Sequence, residues 1–405
     1  MSEALIERAI ARPLGRRARL LLELLEQAGA RCELVLPDGQ VARCGAAPPQ
    51  FRVIVHSERG LARLDELSLG QAYVEGLLDI EGDLMALFDV RSRLRDGARL
   101  SQKLRFLGQL FLRPPSWVNR KAIGYHYTLG DDFYLSFIDT NHRFYSHCIY
   151  HSDDETLEQA AEHKLETMWD ALQLKPGMRL LDIGGGWGGV PEYCGARGVH
   201  VTSVTLTEDS HRYITRLIRE RNLPCEVLLE DFLEHRPERP YDAIVIYGVI
   251  EHIPAYRRFC ARAWECLAPG GRLYMDASAS KEKFEMSAFT RRYIWHGTHT
   301  FLAVQDMVQE LLFHGFQLLE VVHDTRDYEL TILEWARRFD ANHDFIAGRW
   351  GEPLWRAFRI YLWGGGHAFR VDRLQAYHLV ARRGEGPGPR PGNLRRAWNF
   401  VRGLA

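Results

Sequence analysis

The chain has 405 residues, with 52 basic against 53 acidic side chains, a length that suits two domains with sizeable cores rather than one doubly wound unit. The balanced charge gives no support to nucleic-acid binding, and no apolar run reaches the ~18 residues of a membrane span. The seven cysteines are scattered without metal-ligand spacing and odd in number, which predicts reduced thiols, no disulfide framework and no structural metal.

In chain order, residues 1 to about 30 carry a helical pattern with Leu20, Leu21, Leu22, Leu24 and Leu25 as its apolar face. Glu3, Glu7, Arg8 and Arg12 break any secretory h-region, so a cytoplasmic protein is expected. A small β module follows, with strands over 33–36 and 51–55 and a turn at Asp38-Gly39. Helices are expected over 62–75 and 83–88. Between 101 and 120, Leu104, Phe106, Leu107, Leu110, Phe111 and Leu112 interleave with Lys103, Arg105 and Arg113. That composition suits a helix on an anionic bilayer, and equally an ordinary packed helix.

The most informative stretch is Leu180-Leu181-Asp182-Ile183-Gly184-Gly185-Gly186-Trp187-Gly188-Gly189, an apolar strand running into a glycine-rich turn. Further strands are expected over 199–204, 225–229 and 241–246, and Leu267-Ala268-Pro269-Gly270-Gly271-Arg272-Leu273-Tyr274-Met275 reads as helix end, turn and fifth strand. Asp182, Thr205 with Thr207, and Asp231 stand at the ends of the first three strands, where a parallel sheet puts its ligand crevice. A nicotinamide enzyme would more often carry an acidic residue at the second of those ends. This order of elements resembles a class I S-adenosylmethionine-dependent methyltransferase, and the fold expected is α/β: a Rossmann-like methyltransferase sheet with helices on both faces, plus a smaller N-terminal α+β domain. The divisions are 1–120, 121–383, and a linker with a short basic tail over 384–405.

Several separated motifs then match one known family. Ser68-Leu69-Gly70-Gln71-Ala72-Tyr73, Asp79-Ile80-Glu81-Gly82-Asp83, His126-Tyr127-Thr128-Leu129-Gly130-Asp131-Asp132-Phe133-Tyr134, Tyr145-Ser146, Leu172-Gln173-Leu174-Lys175-Pro176-Gly177 and Ala368-Phe369-Arg370 occur in order. From about residue 50 to 383 the chain resembles cyclopropane-fatty-acyl-phospholipid synthases. The resemblance implies methyl transfer from S-adenosylmethionine to the cis double bond of an acyl chain in a membrane phospholipid. It further implies an N-terminal module that engages lipid at the anionic inner face of the membrane, and a homo-oligomer. It assigns Tyr127, Tyr145 and Ser146 to the methionine end of the cofactor, and Asp182, Gly184, Gly186 and Gly188 to the turn beneath it. Thr205 and Thr207 fall at the second-strand contact, where the family usually adds a glutamine and this chain has Ser210; Asp231 and Phe232 would hold and stack the adenine.

Transfer of a methyl to an alkene leaves a carbocation, which aromatic faces and carboxylates stabilise before a base removes a proton. In the family that base is a bicarbonate held by a cysteine, a glutamate, a histidine and a tyrosine. Here the matching positions are His147, Glu251, Asp276 and Tyr328, so two of the four depart from the pattern. A second carboxylate beside Glu251 repels bicarbonate unless one acid is protonated or His147 is charged, which puts that anion in question. The hypothesis drawn is that Asp276, or His147 paired with Asp276, replaces bicarbonate or redirects the cation to a methyl or methylene branch. Tyr293-Ile294-Trp295 and Trp363 with Gly364-Gly365-Gly366 are candidates for the acyl channel or for plain core. The rival readings are a small-molecule N- or C-methyltransferase and a cofactor-binding regulatory protein that has lost catalysis.

Overall fold

The computed structural model describes residues 14–95, 129–281, 286–295 and 299–386, with 388 and 401 besides. The segment 101–120, Tyr127, and all of the basic tail but Val401 lie outside them. Helix α1 (Arg16–Gln27) buries Ala18, Leu21, Leu22 and Leu25, an i, i+3, i+4, i+7 stripe. Leu20 falls off that stripe and is 48% exposed, so the apolar face is narrower than the leucine run implied. Strands β1 (Cys32–Val35), β2 (Val41–Cys44), β3 (Phe51–Val55) and β4 (Leu78–Gly82) form a sheet in the order β2-β1-β3-β4. The expected turn joins β1 to β2, with the Gly39 amide on the Leu36 carbonyl at 2.9 Å. Helix α2 (Glu66–Val74) starts later than expected, because the Asp65 side chain caps it by accepting from the Ser68 amide. A separate 3-10 turn occupies Glu58–Leu61. Helix α3 (Leu84–Arg95) runs past residue 88, and Asp83 accepts from the amides of Met85 and Ala86 at its start.

The second sheet has seven strands: β5 (Arg179–Ile183), β6 (His200–Thr205), β7 (Glu226–Leu229), β8 (Tyr241–Tyr247), β9 (Leu267–Ala279), β10 (Phe316–His323) and β11 (Gln375–Arg383). Their order is β10-β11-β9-β8-β5-β6-β7. The β5 to β9 neighbours run parallel, and β11 is antiparallel to both β9 and β10. Successive residues feed opposite cores: Ala243 and Val245 join one apolar layer, Ile244 and Ile246 the other. The chain moves outward from β5 through β6 to β7, then returns to place β8 on the other side of β5. That reversal opens a crevice at the carboxyl ends of β5 and β8. The segment read as helix end and turn before β9 is absorbed into the strand, with a register shift between the Tyr241 and Ala243 pairs.

The helices on this sheet are α4 (Asp131–Leu135), α5 (Leu157–Leu172), α6 (Gly189–Gly195), α7 (Glu208–Arg221), α8 (Tyr256–Cys266), α9 (Ala288–Tyr293), α10 (Val304–Phe313), α11 (Thr325–Ala341), α12 (His343–Trp350) and α13 (Glu352–Arg370). Helix α13 joins the two sheets' surroundings. Arg359 donates to the Tyr73 hydroxyl at 2.9 Å, Arg356 pairs with Asp79, and His367 meets Asp89 at 2.8 Å. On another side, Gly365 and Gly366 bring the helix against Ile332 and Leu333 of α11, where an added Cβ would come within 2.6 and 2.4 Å. These glycines therefore serve helix packing, and Trp363 donates its indole N–H to Asp340 at 3.0 Å.

Candidate active site

The turn after β5 divides its glycines between fold and crevice. Gly184 has φ +110°, and a Cβ there would lie 2.4 Å from Val249 Cγ2; Gly186 has φ +51°, and a Cβ there would meet nothing within 4 Å. The space over Gly186 is the cradle a cofactor needs. Ser210, standing where the family has glutamine, donates to the Gly186 carbonyl at 2.6 Å and braces the turn from α7. Asp182 is 3% exposed and accepts from Ser203 at 2.8 Å, with burial pushing its carboxyl up to about 7. Thr205 and Thr207 close on each other, the Thr207 amide donating to Thr205 Oγ1 at 3.3 Å. Asp231 accepts from the Leu233 amide, while Phe232 is buried against Phe259 with ring centroids 5.5 Å apart.

Two substitutions separate these roles. Gly184→Ala is expected to cost roughly 2 kcal/mol or more of stability from collision and backbone strain. Gly186→Ala is expected to cost about 1 kcal/mol of stability but to weaken S-adenosylmethionine at least ~10-fold. Thermal melts and calorimetric titration read the two effects. Undiminished affinity in Gly186→Ala would remove the cofactor from this turn.

Beside the turn, the 145–148 segment is clamped to the sheet by a residue that sequence reasoning missed. Lys164 on α5 is fully buried, and its ammonium donates to Ser146 Oγ at 2.9 Å, to the His147 carbonyl at 2.5 Å and to the Asp276 carboxylate. It also lies 4.1 Å from the Tyr247 ring centroid, a cation–π contact. The other Asp276 oxygen accepts from the Gly248 amide at 2.8 Å. Asp276 is thus committed on both oxygens, and the expected pair of His147 with Asp276 is not formed. The missed signal was local: on α5, Lys164 falls among the buried Leu157, Ala160, Ala161, Leu165 and Met168. A lysine on an apolar stripe must find a buried anion.

His147 turns instead to Asp324, just before α11, with Nε2 3.1 Å from Oδ2. His378 on β11 donates from Nδ1 to the same oxygen at 2.7 Å. Burial alone would raise the Asp324 carboxyl, but the hydrogen bonds from both histidines outweigh it and hold it down to about 2. Neither Asp324 nor His378 was visible as a site residue in the sequence. Glu251 lies in the 3-10 turn Ile250–His252 that follows β8. Its Oε1 accepts from the Ser278 amide at 2.9 Å and hydroxyl at 2.7 Å, and burial pushes its carboxyl up to about 7. Among the described residues, Glu251 Oε2 and His147 Nδ1 are buried with no hydrogen-bond partner. Buried orphans of this kind are rare in native structures and mark places where a ligand or reaction supplies the partner.

An aromatic series runs between Glu251 and His147. His252 lies 5.2 Å from Trp295, Tyr361 lies beside both Trp295 and Tyr145, and Tyr145 stacks on Trp335 at 5.2 Å. Trp335 meets Tyr328 edge-on, and Tyr328 lies 5.1 Å from the His147 ring and 4.3 Å from Phe369. The structure therefore brings together Tyr145, Ser146, His147, Asp276 and Tyr328 near the ends of β8 and β9. Outside this site, His151, Glu155 and His163 each place a ligand atom within 4.8 Å of the others. The two rings stack at 3.8 Å and 13°, so their in-plane lone pairs do not converge.

Comparison with known proteins agrees with this geometry. The family described as "Mycolic acid cyclopropane synthetase" matches residues 116–379. Cyclopropane-fatty-acyl-phospholipid synthase of Escherichia coli is 28% identical over 378 residues, covering 90% of this chain and 93% of that protein. The cyclopropane synthase MmaA2 from Mycobacterium tuberculosis superimposes with a TM-score of 0.61 at 24% identity, over 67% of this chain and all of that one. Coclaurine N-methyltransferase bound to N-methylheliamine and SAH gives a TM-score of 0.65 at 20% identity, over 78% of this chain and 99% of that one. With the family match spanning well over half its length, the chain belongs to the mycolic acid cyclopropane synthetase family and is an S-adenosylmethionine-dependent methyltransferase.

Proposed function

We propose that this enzyme methylates the double bond of unsaturated acyl chains in membrane phospholipids, working at an anionic membrane surface. When bound, S-adenosylmethionine supplies a sulfonium methyl; the alkene π pair takes it as the carbon–sulfur bond breaks onto sulfur, leaving a cation on the acyl chain. The carrying observation is the aromatic series from Trp295 through Tyr361, Tyr145 and Trp335 to Tyr328, flanked by the half-open carboxyl of Glu251. Ring faces and one carboxylate are what a transient carbocation needs, and a dry wall keeps water from capturing it. An amine and its ammonium product would be served by the same lining, so the choice of the lipid reading over the small-molecule rival rests on the relatives. The Escherichia coli relative, named for acyl-phospholipid chemistry, supports the same reading over most of its length. Among the described residues, no helix is long and apolar enough to cross a membrane. Access to a bilayer substrate then falls to surface attachment, for which the 101–120 composition is suited.

The direct test is mass spectrometry of fatty acids from a host making only monounsaturated lipids, with and without the chain. Gain of one carbon on the acyl chain, placed by fragmentation as a ring or a branch, is the expected result. Unchanged acyl chains alongside turnover of a soluble amine would overturn the lipid substrate.

A further inference from the structure

We propose that His147, oriented by Asp324, removes the proton that ends the reaction, so that the chain carries its own base. The inference rests on the lipid reading above. His147 is fully buried and makes one side-chain hydrogen bond, from Nε2 to Asp324 Oδ2 at 3.1 Å. An ionised Asp324 keeps the imidazole proton on Nε2, which leaves Nδ1 as a bare acceptor. That Nδ1 is buried without a hydrogen-bond partner.

The neighbouring acids are differently engaged. Asp276 is paired with the Lys164 ammonium and accepts from the Gly248 amide, so taking a proton would cost it a buried ion pair and it is a poor base. Glu251 supplies negative charge from the other end of the aromatic series. His147 can take a proton and become an imidazolium at once, because the Asp324 carboxylate already faces it. For ring closure, a C–H bond of the new methyl breaks, its electron pair forms the third ring bond, and the proton moves to Nδ1. For a branch, the proton leaves a neighbouring carbon and the pair forms a double bond. In both cases the proton then passes to water. The groups facing His147 are Asp324, Asp327 and Tyr328 from the start of α11, His378 from β11, and the Lys164–Asp276 pair from α5 and β9. His378 donates to the same Asp324 oxygen and makes Asp324 a positioning residue shared by two imidazoles.

The test uses the full chain with vesicles of dioleoyl phosphatidylglycerol and S-adenosylmethionine, scoring acyl product by mass spectrometry with and without added bicarbonate. Wild-type rate is expected to be indifferent to bicarbonate. His147→Gln is expected to lose at least ~100-fold in turnover, keep cofactor binding, and regain activity when free imidazole is added. Asp324→Asn is expected to lose ~10-fold or more in kcat with KM for the acyl substrate unchanged. A wild-type rate that depends on bicarbonate, or a His147→Gln enzyme as fast as wild type, overturns the inference while leaving the lipid reading intact. A wild type that makes no acyl product overturns the lipid reading and this base with it. Should His147→Gln fail to fold, the bicarbonate response and Asp324→Asn still decide.

Discussion

Lys164→Met is expected to destabilise the protein by about 3–5 kcal/mol, read as a lowered urea midpoint at unchanged slope. The ammonium is fully buried and bonded to Asp276, Ser146 and the His147 carbonyl. Its removal strands the Asp276 carboxylate beside Tyr247 with only the Gly248 amide for company. Methionine fills most of the volume, so the loss is electrostatic rather than a cavity. The second variant is the informative one: Lys164→Met with Asp276→Asn deletes both charges and keeps an acceptor for Gly248. It should recover at least half of the loss, because removing a buried pair together costs far less than removing one partner. A single variant within 1 kcal/mol of wild type would mean that the pair contributes little.

Glu251→Gln is expected to abolish turnover, by ~1000-fold or more, while raising stability above neutral pH. Burial lifts the Glu251 carboxyl from 4.5 to about 7 in the folded chain. Between those values the folded state binds more protons than the unfolded one, so stability falls as pH rises through that window. Above pH 7 the ionised carboxylate costs roughly 3 kcal/mol that a glutamine does not. Asp182, lifted from 3.8 to about 7, adds a slope of the same sign that survives in the variant. Melts at pH 5 and pH 8 should show the variant gaining on wild type far more at the higher value. Turnover of wild type should rise with pH toward 7 as Glu251 ionises. A variant less stable than wild type at pH 8, or still active, would refute a strained catalytic carboxylate.

The central strands were legible because β5 and β8 are buried on both faces and carry the apolar runs Leu180-Leu181 and Ala243-Ile244-Val245-Ile246, while β6 is rich in the β-branched residues Val201, Thr202, Val204 and Thr205. Strand β10 was not, since Phe316–His323 is exposed along much of one side and carries Glu320 and Gln317 in place of a clean alternation. Strand β2 is four residues with Arg43 at its centre, and its identity comes from pairing with β1 rather than from propensity. In the site, the glycine turn, Glu251 and Tyr328 could be read from motifs that are contiguous in the chain. What surrounds them could not: Asp324 lies 177 residues from His147, and Asp276 lies 112 residues from Lys164. Reading Asp276 as a base left out Lys164 for that reason. A carboxylate's role depends on the cation opposite it, and α5 supplies that cation from another part of the fold.

Helix α13 places three commitments on one axis. Arg356 and Arg359 grip Asp79 and Tyr73, Tyr361 reaches Trp295 and Tyr145, and Gly365 with Gly366 lies flush against α11. Each residue added to a helix turns everything beyond it by about 100°. A single insertion between Arg359 and Tyr361 would therefore swing the tyrosine off the reacting wall or pull the arginines off the first sheet's helix and strand. Substitutions along this stretch can be absorbed by neighbours, but a change of length cannot. Variation in chain length among related enzymes should then gather in the connections, such as the turn between β1 and β2, and leave the span from Arg356 to Gly366 free of gaps.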